Sequence, residues 1–164
     1  MKYYYDTFNT PHGEFSIATD ETGSVVATAF GGVISLKKRS GKLPLEHEPS
    51  KVRAAREQVT AYFAGKRRDF SLKLAPVGTE FQGRVWNALR RIPFGKTRSY
   101  GELAAQLGNA KASRAVGRAN ATNPICVIVP CHRVIGADGS LTGFAFGEKI
   151  KRRLLEHEGV VPGK

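Results

Sequence analysis

Pro130-Cys131-His132-Arg133 sets a thiol, an imidazole and a guanidinium side by side in a turn that proline helps to fix. A thiol is a strong nucleophile only as thiolate, and with an unperturbed pKa of ~8.5 it is mostly protonated at neutral pH. It needs a base or a positive field, and His132 and Arg133 are one of each. Successive side chains in extended structure point apart, so His132 would reach Cys131 through a water. A carboxylate on its other nitrogen would orient the ring, following the logic of nucleophile, base and orienting group. Glu158, near the end of the last helix, is one of few acids available in this half of the chain. The same residues leave a plainer arrangement open, a buried cysteine beside a surface histidine. Cys126 and Cys131 are the only cysteines and form no CxxC pair, which argues against a disulfide framework and against tetrahedral zinc.

The second chemical signal is charge. Against 14 Asp and Glu stand 26 Lys and Arg, a net +12, and the sequence pI is about 10.1. Residues 1–76 carry 12 basic and 8 acidic side chains and residues 77–164 carry 14 and 6; Arg84 to Arg133 includes nine basic residues and one acid, Glu102. That distribution points to a polyanionic partner, the alternative being a basic chain that is merely soluble. At 164 residues, 41% hydrophobic and 24% charged, the chain can bury a core as one ordinary domain or two small ones. No apolar run approaches the ~20 residues of a membrane span, and Met1 to Asp6 lacks the apolar stretch of a secretory signal. A cytoplasmic protein without a membrane partner is expected.

The elements that must position these groups are legible in outline. Lys2 to Phe8, Glu14 to Thr19 and Ser24 to Phe30 read as strands separated by Pro11-His12-Gly13 and Asp20-Glu21-Thr22-Gly23, the spacing of an antiparallel meander. Gly31 to Pro49 reads as a long surface loop whose Lys37-Lys38-Arg39 cluster faces solvent. Ser50 is a candidate N-cap for a helix with Val52, Ala55, Val59, Tyr62 and Phe63 on one stripe, ended by Gly65. Asp69 to Leu74 reads as a further strand, and Pro76-Val77-Gly78 as a linker, which puts a domain boundary between residues 76 and 77. Thr79 to Gln82 is a capping box opening a helix that stops at Pro93, with Trp86 as an anchor of the core or between domains. A second capping box, Ser99 to Glu102, opens a helix ended by Gly108. After a turn over Asn109 to Lys111, another helix runs from Ala112 to Ala121, and Asn123-Pro124 ends it. Ile125 to Val129 reads as a buried strand, Gly136 to Gly139 as a tight turn and Gly143 to Gly147 as a loop before a helix to His157.

Two short helices around a glycine-containing turn have the organisation of a helix-turn-helix. In the second helix, small residues accompany Arg114 and Arg118, so a slim face could approach a nucleic-acid backbone closely. Ala115, Val116 and Ala119 could equally pack against the preceding helix, and both readings hold if they use opposite faces.

Taken in order, Ile92-Pro93-Phe94-Gly95-Lys96-Thr97-Arg98-Ser99-Tyr100, Ser113-Arg114-Ala115-Val116-Gly117, Asn123-Pro124 and Pro130-Cys131-His132-Arg133-Val134-Ile135 closely resemble the O6-alkylguanine-DNA alkyltransferases, also called methylated-DNA-protein cysteine methyltransferases. The resemblance covers Phe81 to Gly159 almost continuously. It implies an α+β fold, with a small N-terminal domain (1–76) of antiparallel sheet and helix, then a mainly helical, winged-helix-like C-terminal domain (77–164) that binds DNA and accepts the alkyl group. By resemblance Cys131 is the alkyl acceptor, His132 deprotonates it through a water, Glu158 polarises His132, and Asn123 is the hinge asparagine that organises the active segment. Arg114 matches the arginine finger that replaces an extruded base, and Tyr100 the tyrosine that helps to rotate the nucleotide and donates to guanine N3. Ser113, Ala115, Gly117 and Arg118 fall on the DNA-binding helix, used by this family in the minor groove. Tyr100, Val134, Phe144, Ala145 and Phe146 would form the substrate pocket, with Phe146, where many relatives have glycine, narrowing it.

The resemblance therefore implies a monomeric DNA-repair enzyme with no cofactor and no obligatory protein partner. It would move methyl from O6-methylguanine in duplex DNA, and less well from O4-methylthymine, onto Cys131, and be consumed by one reaction. No metal is implied, because the zinc of some relatives relies on N-terminal cysteines that this chain lacks. A non-catalytic lesion-binding module of the alkyltransferase-like type would lack the acceptor cysteine. A helix-turn-helix transcription factor would leave Pro-Cys-His-Arg idle, and nothing indicates the acyl pocket of a thiol hydrolase.

Overall fold

A computed structural model describes residues 1–161; the last three residues of the expected second domain lie outside them. The chain divides into two compact units, one of residues 1–77 with 124–128, the other of residues 78–123 with the chain from 129 onward. The architecture is α+β, with a mainly antiparallel sheet in the first unit and a mainly helical second unit. No helix among the described residues is long and apolar enough to cross a membrane.

In the first unit β1 (Tyr3–Thr10), β2 (Gly13–Asp20) and β3 (Val25–Phe30) form the expected antiparallel meander. The turn after β2 is held by the Asp20 carboxylate, which accepts from the Thr22 and Ser24 amides at 2.9 and 3.0 Å, the reason aspartate favours such turns. All six residues of β3 are buried. Alternate strand residues face opposite ways, so both faces of β3 are covered.

Gly31 to Pro49 is not a loop. It contains α1 (Val33–Ser40) and β4 (Leu45–His47), which pairs in parallel with β1 and gives the sheet order β3-β2-β1-β4. α1 buries only Leu36, while Ile34 is 73% exposed, so no apolar period announces it; tertiary packing rather than propensity holds so short a helix. Lys37, Lys38 and Arg39 occupy its last turn, where cations favour the negative end of the helix dipole.

The next helix, α2 (Pro49–Phe63), is capped at Glu48 rather than Ser50. Pro49 takes the first helical position, where proline's missing N–H and fixed φ cost nothing. Val52, Ala55, Val59, Tyr62 and Phe63 are all buried as their spacing requires. Asp69 to Leu74 makes a single bridge, Val25 to Leu74, and not a strand; none of its residues is buried, so no apolar face holds it to the sheet.

The second unit begins with α3 (Glu80–Leu89), opened by a complete capping box between Thr79 and Gln82. It ends at Leu89, short of Pro93. Trp86 is an anchor within this unit: its indole N–H donates to Ala119 O at 2.8 Å. β5 (Arg98–Ser99) leads into α4 (Tyr100–Gln106), whose capping box joins Ser99 and Glu102. A 3-10 turn over Ala110–Ala112 connects α4 to α5 (Ser113–Ala121), completing the helix-turn-helix. β6 (Val134–Ile135) pairs in parallel with β5, and α6 (Glu148–His157) closes the unit.

Ile125 to Val129 is also not a strand. Ile125 bridges Thr28, and the chain then turns sharply through Val127 at φ 72°, an uncommon conformation for a β-branched residue. The backbone therefore folds on itself and cannot extend a ladder. Cys126 is core, with Thr28 Oγ1 donating to its carbonyl at 2.8 Å and to its sulfur at 3.2 Å.

Candidate active site

Cys131, His132 and Arg133 form one turn of 3-10 helix, buried throughout. Two local devices aim this turn. The parallel pairing of Arg98 with Val134 and Ser99 with Ile135 aligns the start of α4, and hence Tyr100, with the chain leaving the turn. Asn123, 1% exposed, donates from Nδ2 to Val129 O at 2.9 Å. That bond ties together the two residues flanking the excursion of 124–128 into the first unit.

The histidine is not at the surface. His132 is wholly buried, and its Nε2–H donates to Glu158 Oε2 at 2.8 Å. Arg133 turns its fork on the same carboxylate, Nε to Oε1 at 2.7 Å and Nη2 to Oε2 at 2.9 Å, while Nη1 donates to Ile92 O at 2.6 Å. Such a bidentate guanidinium–carboxylate pair is strong and directional. Burial pushes Glu158 up, but hydrogen bonds and charge from His132 and Arg133 outweigh it and hold the carboxyl far below its ordinary 4.5. Burial pushes His132 down, and although Glu158 opposes this, Arg133 and Lys151 add to it. The ring is therefore neutral and Glu158 ionised. With Nε2 protonated toward the carboxylate, Nδ1 is left as a lone pair, and it has no hydrogen-bond partner among the described residues.

Lys151 was not singled out by the sequence. It is fully buried, its ammonium lies 5.9 Å from the Tyr100 ring centroid, and Nζ is 3.5 Å from Thr142 O. Burial lowers its pKa from 10.5 to about 8, against the charges of Cys131 and Glu148 that raise it. The missed signal is a period: Lys151, Leu154, Leu155 and Glu158 stand at i, i+3, i+4 and i+7, one helix face, buried at every position. Its two charged ends conceal the stripe.

Tyr100 is joined to this cluster. Its hydroxyl donates to Thr142 O at 2.9 Å, and its pKa is raised by burial and by the Cys131 charge, while a hydrogen bond from Asn120 lowers it. Asn120, also unnoticed in the sequence, is 2% exposed and donates from Nδ2 to Cys131 O at 3.3 Å. Gly143 must be glycine: at φ 87°, a Cβ there would stand 2.8 Å from the Tyr100 hydroxyl.

On α5, Val116 and Ala119 are buried while Arg114 and Arg118 are exposed, so packing and solvent faces coexist. Ser113, Arg114, Gly117 and Arg118 line a hollow of about 510 Å³ with Tyr100, Ala121, Thr142 and Gly143. Ala115 does not line it. Nor do Val134, Phe144, Ala145 or Phe146: Val134 and Phe144 are buried, Ala145 is exposed, and Phe146 packs edge-on against Phe144 at 5.8 Å. A larger hollow, about 750 Å³, lies along α2 around the Asp6–Arg56 pair, but its lining holds neither cysteine nor histidine.

A buried thiol beside a neutral histidine, which a clamped carboxylate orients, carried on a helix-turn-helix unit, defines a cysteine-nucleophile protein built on a nucleic-acid-binding scaffold. Residues 80–160 match the family described as 6-O-methylguanine DNA methyltransferase, DNA binding domain, and residues 3–76 its ribonuclease-like domain. The methylated-DNA–protein-cysteine methyltransferase of Methanosarcina acetivorans is 52% identical over 159 residues, 95% of this chain and 98% of the relative. The protein of the same name from Mycobacterium tuberculosis is 45% identical over 155 residues, 94% of this chain and 92% of its own. The solved structure of Mycobacterium tuberculosis OGT in complex with DNA has a TM-score of 0.85 at 41% identity, over 98% of this chain and 96% of that one. This chain belongs to the 6-O-methylguanine DNA methyltransferase family.

Proposed function

We propose that this protein repairs DNA by direct reversal, taking the methyl group of O6-methylguanine in duplex DNA, and less well that of O4-methylthymine, onto Sγ of Cys131. The observation that carries the site assignment is the buried chain His132–Glu158–Arg133, which leaves His132 Nδ1 as an unprotonated acceptor. The Cys131 proton passes through a water to Nδ1, and Glu158 stabilises the imidazolium that results. Lys151 supplies positive charge to the thiolate. Sulfur attacks the methyl carbon, a C–S bond forms, the C–O6 bond breaks, and its electron pair returns to the base. Tyr100 turns its single hydroxyl hydrogen from Thr142 O to N3 as that charge develops, and a proton equal to the one lost by the thiol restores N1–H. The thioether has no hydrolytic exit, so each molecule reacts once.

The reaction requires the base out of the stack, at a cost of a few kcal/mol. Arg114 fills the place of the extruded nucleotide, and Ser113, Ala115, Gly117 and Arg118 follow the backbone in the minor groove. The Mycobacterium tuberculosis relative was solved in complex with DNA, and the two arginines of α5 beside the hollow support the same partner here. Asn123 organises the active segment through Val129 O, and Val134, Phe144, Ala145 and Phe146 shape the pocket beyond Tyr100. In this reading residues 77–164 act as the DNA-binding and acceptor domain of a cytoplasmic monomer, and the reaction as written uses no cofactor.

The test is mass spectrometry after mixing with an O6-methylguanine duplex. Wild type and Cys126→Ser should each gain a single methyl, on Cys131, and Cys131→Ser none. Repeated turnover, or methyl transfer by the Cys131 variant, would refute the assignment.

A further inference from the structure

We infer that the uncovered edge of β1 is a docking site for an extended, acidic segment of a partner protein, which adds to the sheet of the first unit as a further strand. The inference is independent of the alkyl-transfer reading. It starts from a register: β1 runs from Tyr3 to Thr10, but β4 pairs with it only over Tyr3, Tyr4 and Tyr5. No strand among the described residues continues that pairing along Asp6 to Thr10. The open stretch is about 17 Å long, enough for a short added strand.

Its backbone groups point outward. The Glu48 amide donates to Tyr5 O at 3.1 Å on the β4 side. Successive residues of a strand turn their N–H and C=O to opposite edges, so Thr7 and Asn9 also turn theirs to that side. Edges of this kind are usually guarded, and here the guard is partial: Asp6 Oδ1 takes the Thr7 amide at 2.9 Å, while Thr7 O and the backbone of the exposed Asn9 face the open edge.

Two hollows flank the point where the pairing stops, one on each face of the sheet. Asp6 lines the larger, of about 750 Å³, along α2. Tyr5 and Thr7 line the smaller, of about 340 Å³, with Val33 and His47. Alternate residues of β1 thus open onto different hollows, and alternate side chains of an added strand enter the same two.

Charge identifies the occupant. The larger hollow sets Arg53, Arg56 and Lys66 against Asp6 and Glu57, and both acids are already held, Asp6 Oδ2 by Arg56 Nη1 at 2.7 Å and Glu57 Oε1 by Arg53 Nε at 3.7 Å. The Arg56 guanidinium lies 4.9 Å from the Phe8 ring centroid, with its side chain 47% exposed. Its fork is held in place and keeps N–H donors for a second carboxylate. The smaller hollow, walled by Tyr5 and Val33, suits a β-branched side chain. A segment that alternates glutamate with valine fits both faces. The net charge of +12 draws such a segment in and opposes a second copy of this chain.

The test is NMR of the full-length, isotope-labelled protein titrated with a capped hexapeptide alternating glutamate and valine. The peptide should shift Asp6 to Thr10 and the α2 residues of the hollow, and at saturation slow exchange of the Asn9 amide by roughly tenfold or more. The same peptide with lysine for glutamate should bind about tenfold more weakly or worse. Arg53→Glu should weaken binding roughly 5- to 10-fold. Asn9→Pro, which removes an outward N–H and no ladder bond, should weaken it roughly 3- to 10-fold. Both positions are exposed, and an unchanged melting temperature shows that the fold is kept. Equal binding of the two peptides, an Asn9 amide that exchanges as freely with peptide as without it, or no binding at about 1 mM peptide overturns the inference. A thymidine hexanucleotide that displaces the peptide and binds more tightly would make the groove a nucleic-acid surface. Asn9 protection that grows with protein concentration alone would make it a contact between copies. Either result overturns the assignment to an acidic segment.

Discussion

Replacing Arg133 with methionine leaves the Glu158 carboxylate buried with His132 as its main partner. The native side chain makes contacts of 2.7 and 2.9 Å to that carboxylate and 2.6 Å to Ile92 O, with the Arg133 side chain 7% and that of Glu158 0% exposed. Burial decides the magnitude. A surface pair is worth about 0–1 kcal/mol, whereas removing one partner of a buried pair costs about 3–5 kcal/mol, because the other charge is stranded. For a chain of this size about 1 kcal/mol moves Tm by roughly 2–4 °C, so Arg133→Met should lower Tm by roughly 6–20 °C. Glu158→Gln strands the guanidinium instead and should cost a similar amount. The double variant holds neither charge, and the amide oxygen introduced by Glu158→Gln can still accept from His132 Nε2–H. It should recover at least half of the summed loss, a coupling far outside the additivity of independent sites. Thermal melting of the four proteins near neutral pH measures this directly. A drop of less than about 3 °C in Arg133→Met, or losses that simply add in the double variant, would show that the pair is not the buried clamp its geometry describes.

Acid should act through the same carboxylate. The folded pKa of Glu158 lies below its ordinary value of 4.5, so its contribution is present above that value and is lost as the pH falls through it toward the folded pKa. The melting temperature should therefore decline below about pH 4.5, and an unchanged acid slope in Glu158→Gln would contradict this. Lys151 gives a slope of the same sign at higher pH, but there the charged form is the one that folding disfavours. Its pKa falls from 10.5 to about 8 on folding, so between those values the unfolded chain binds more protons and stability from this group rises with pH, while near neutrality its charged form is a cost. Lys151→Met should thus melt at or above the wild-type temperature while the Cys131 thiol, deprived of a cation, reacts with iodoacetamide only at higher pH. An unshifted pH profile for that alkylation would show that Lys151 does not bear on the thiol.

Whatever is encoded within a few neighbouring residues was legible along the chain. The β1–β3 meander follows from strands bounded by Pro-His-Gly and Asp-Glu-Thr-Gly turns, and the capping boxes at Thr79 and Ser99 from a four-residue hydrogen-bonding rule. The stripe of α2 follows from the helical period, and the candidate thiol and base from the adjacency of Cys131 and His132. The resemblance assembled these pieces into a family, whose matches cover both halves of the chain.

What depends on distant partners emerged with folding. Leu36 makes a helix of an apparent loop because the sheet lies beneath it, and three residues of that loop become a strand because β1 offers an edge. Asp69 to Leu74 and Ile125 to Val129 have strand-like composition but make one bridge each, since an unburied segment in the first and the turn at Val127 in the second prevent a ladder. Glu158 becomes the partner of Arg133 as well as His132 across separations of 25 and 26 residues. Lys151 and Asn120 enter the site because α6 and α5 each press a polar side chain inward among apolar ones. Polar residues on buried faces look like interruptions in a linear pattern. Their meaning comes from the groups they meet, and those are brought together by folding rather than by proximity along the chain.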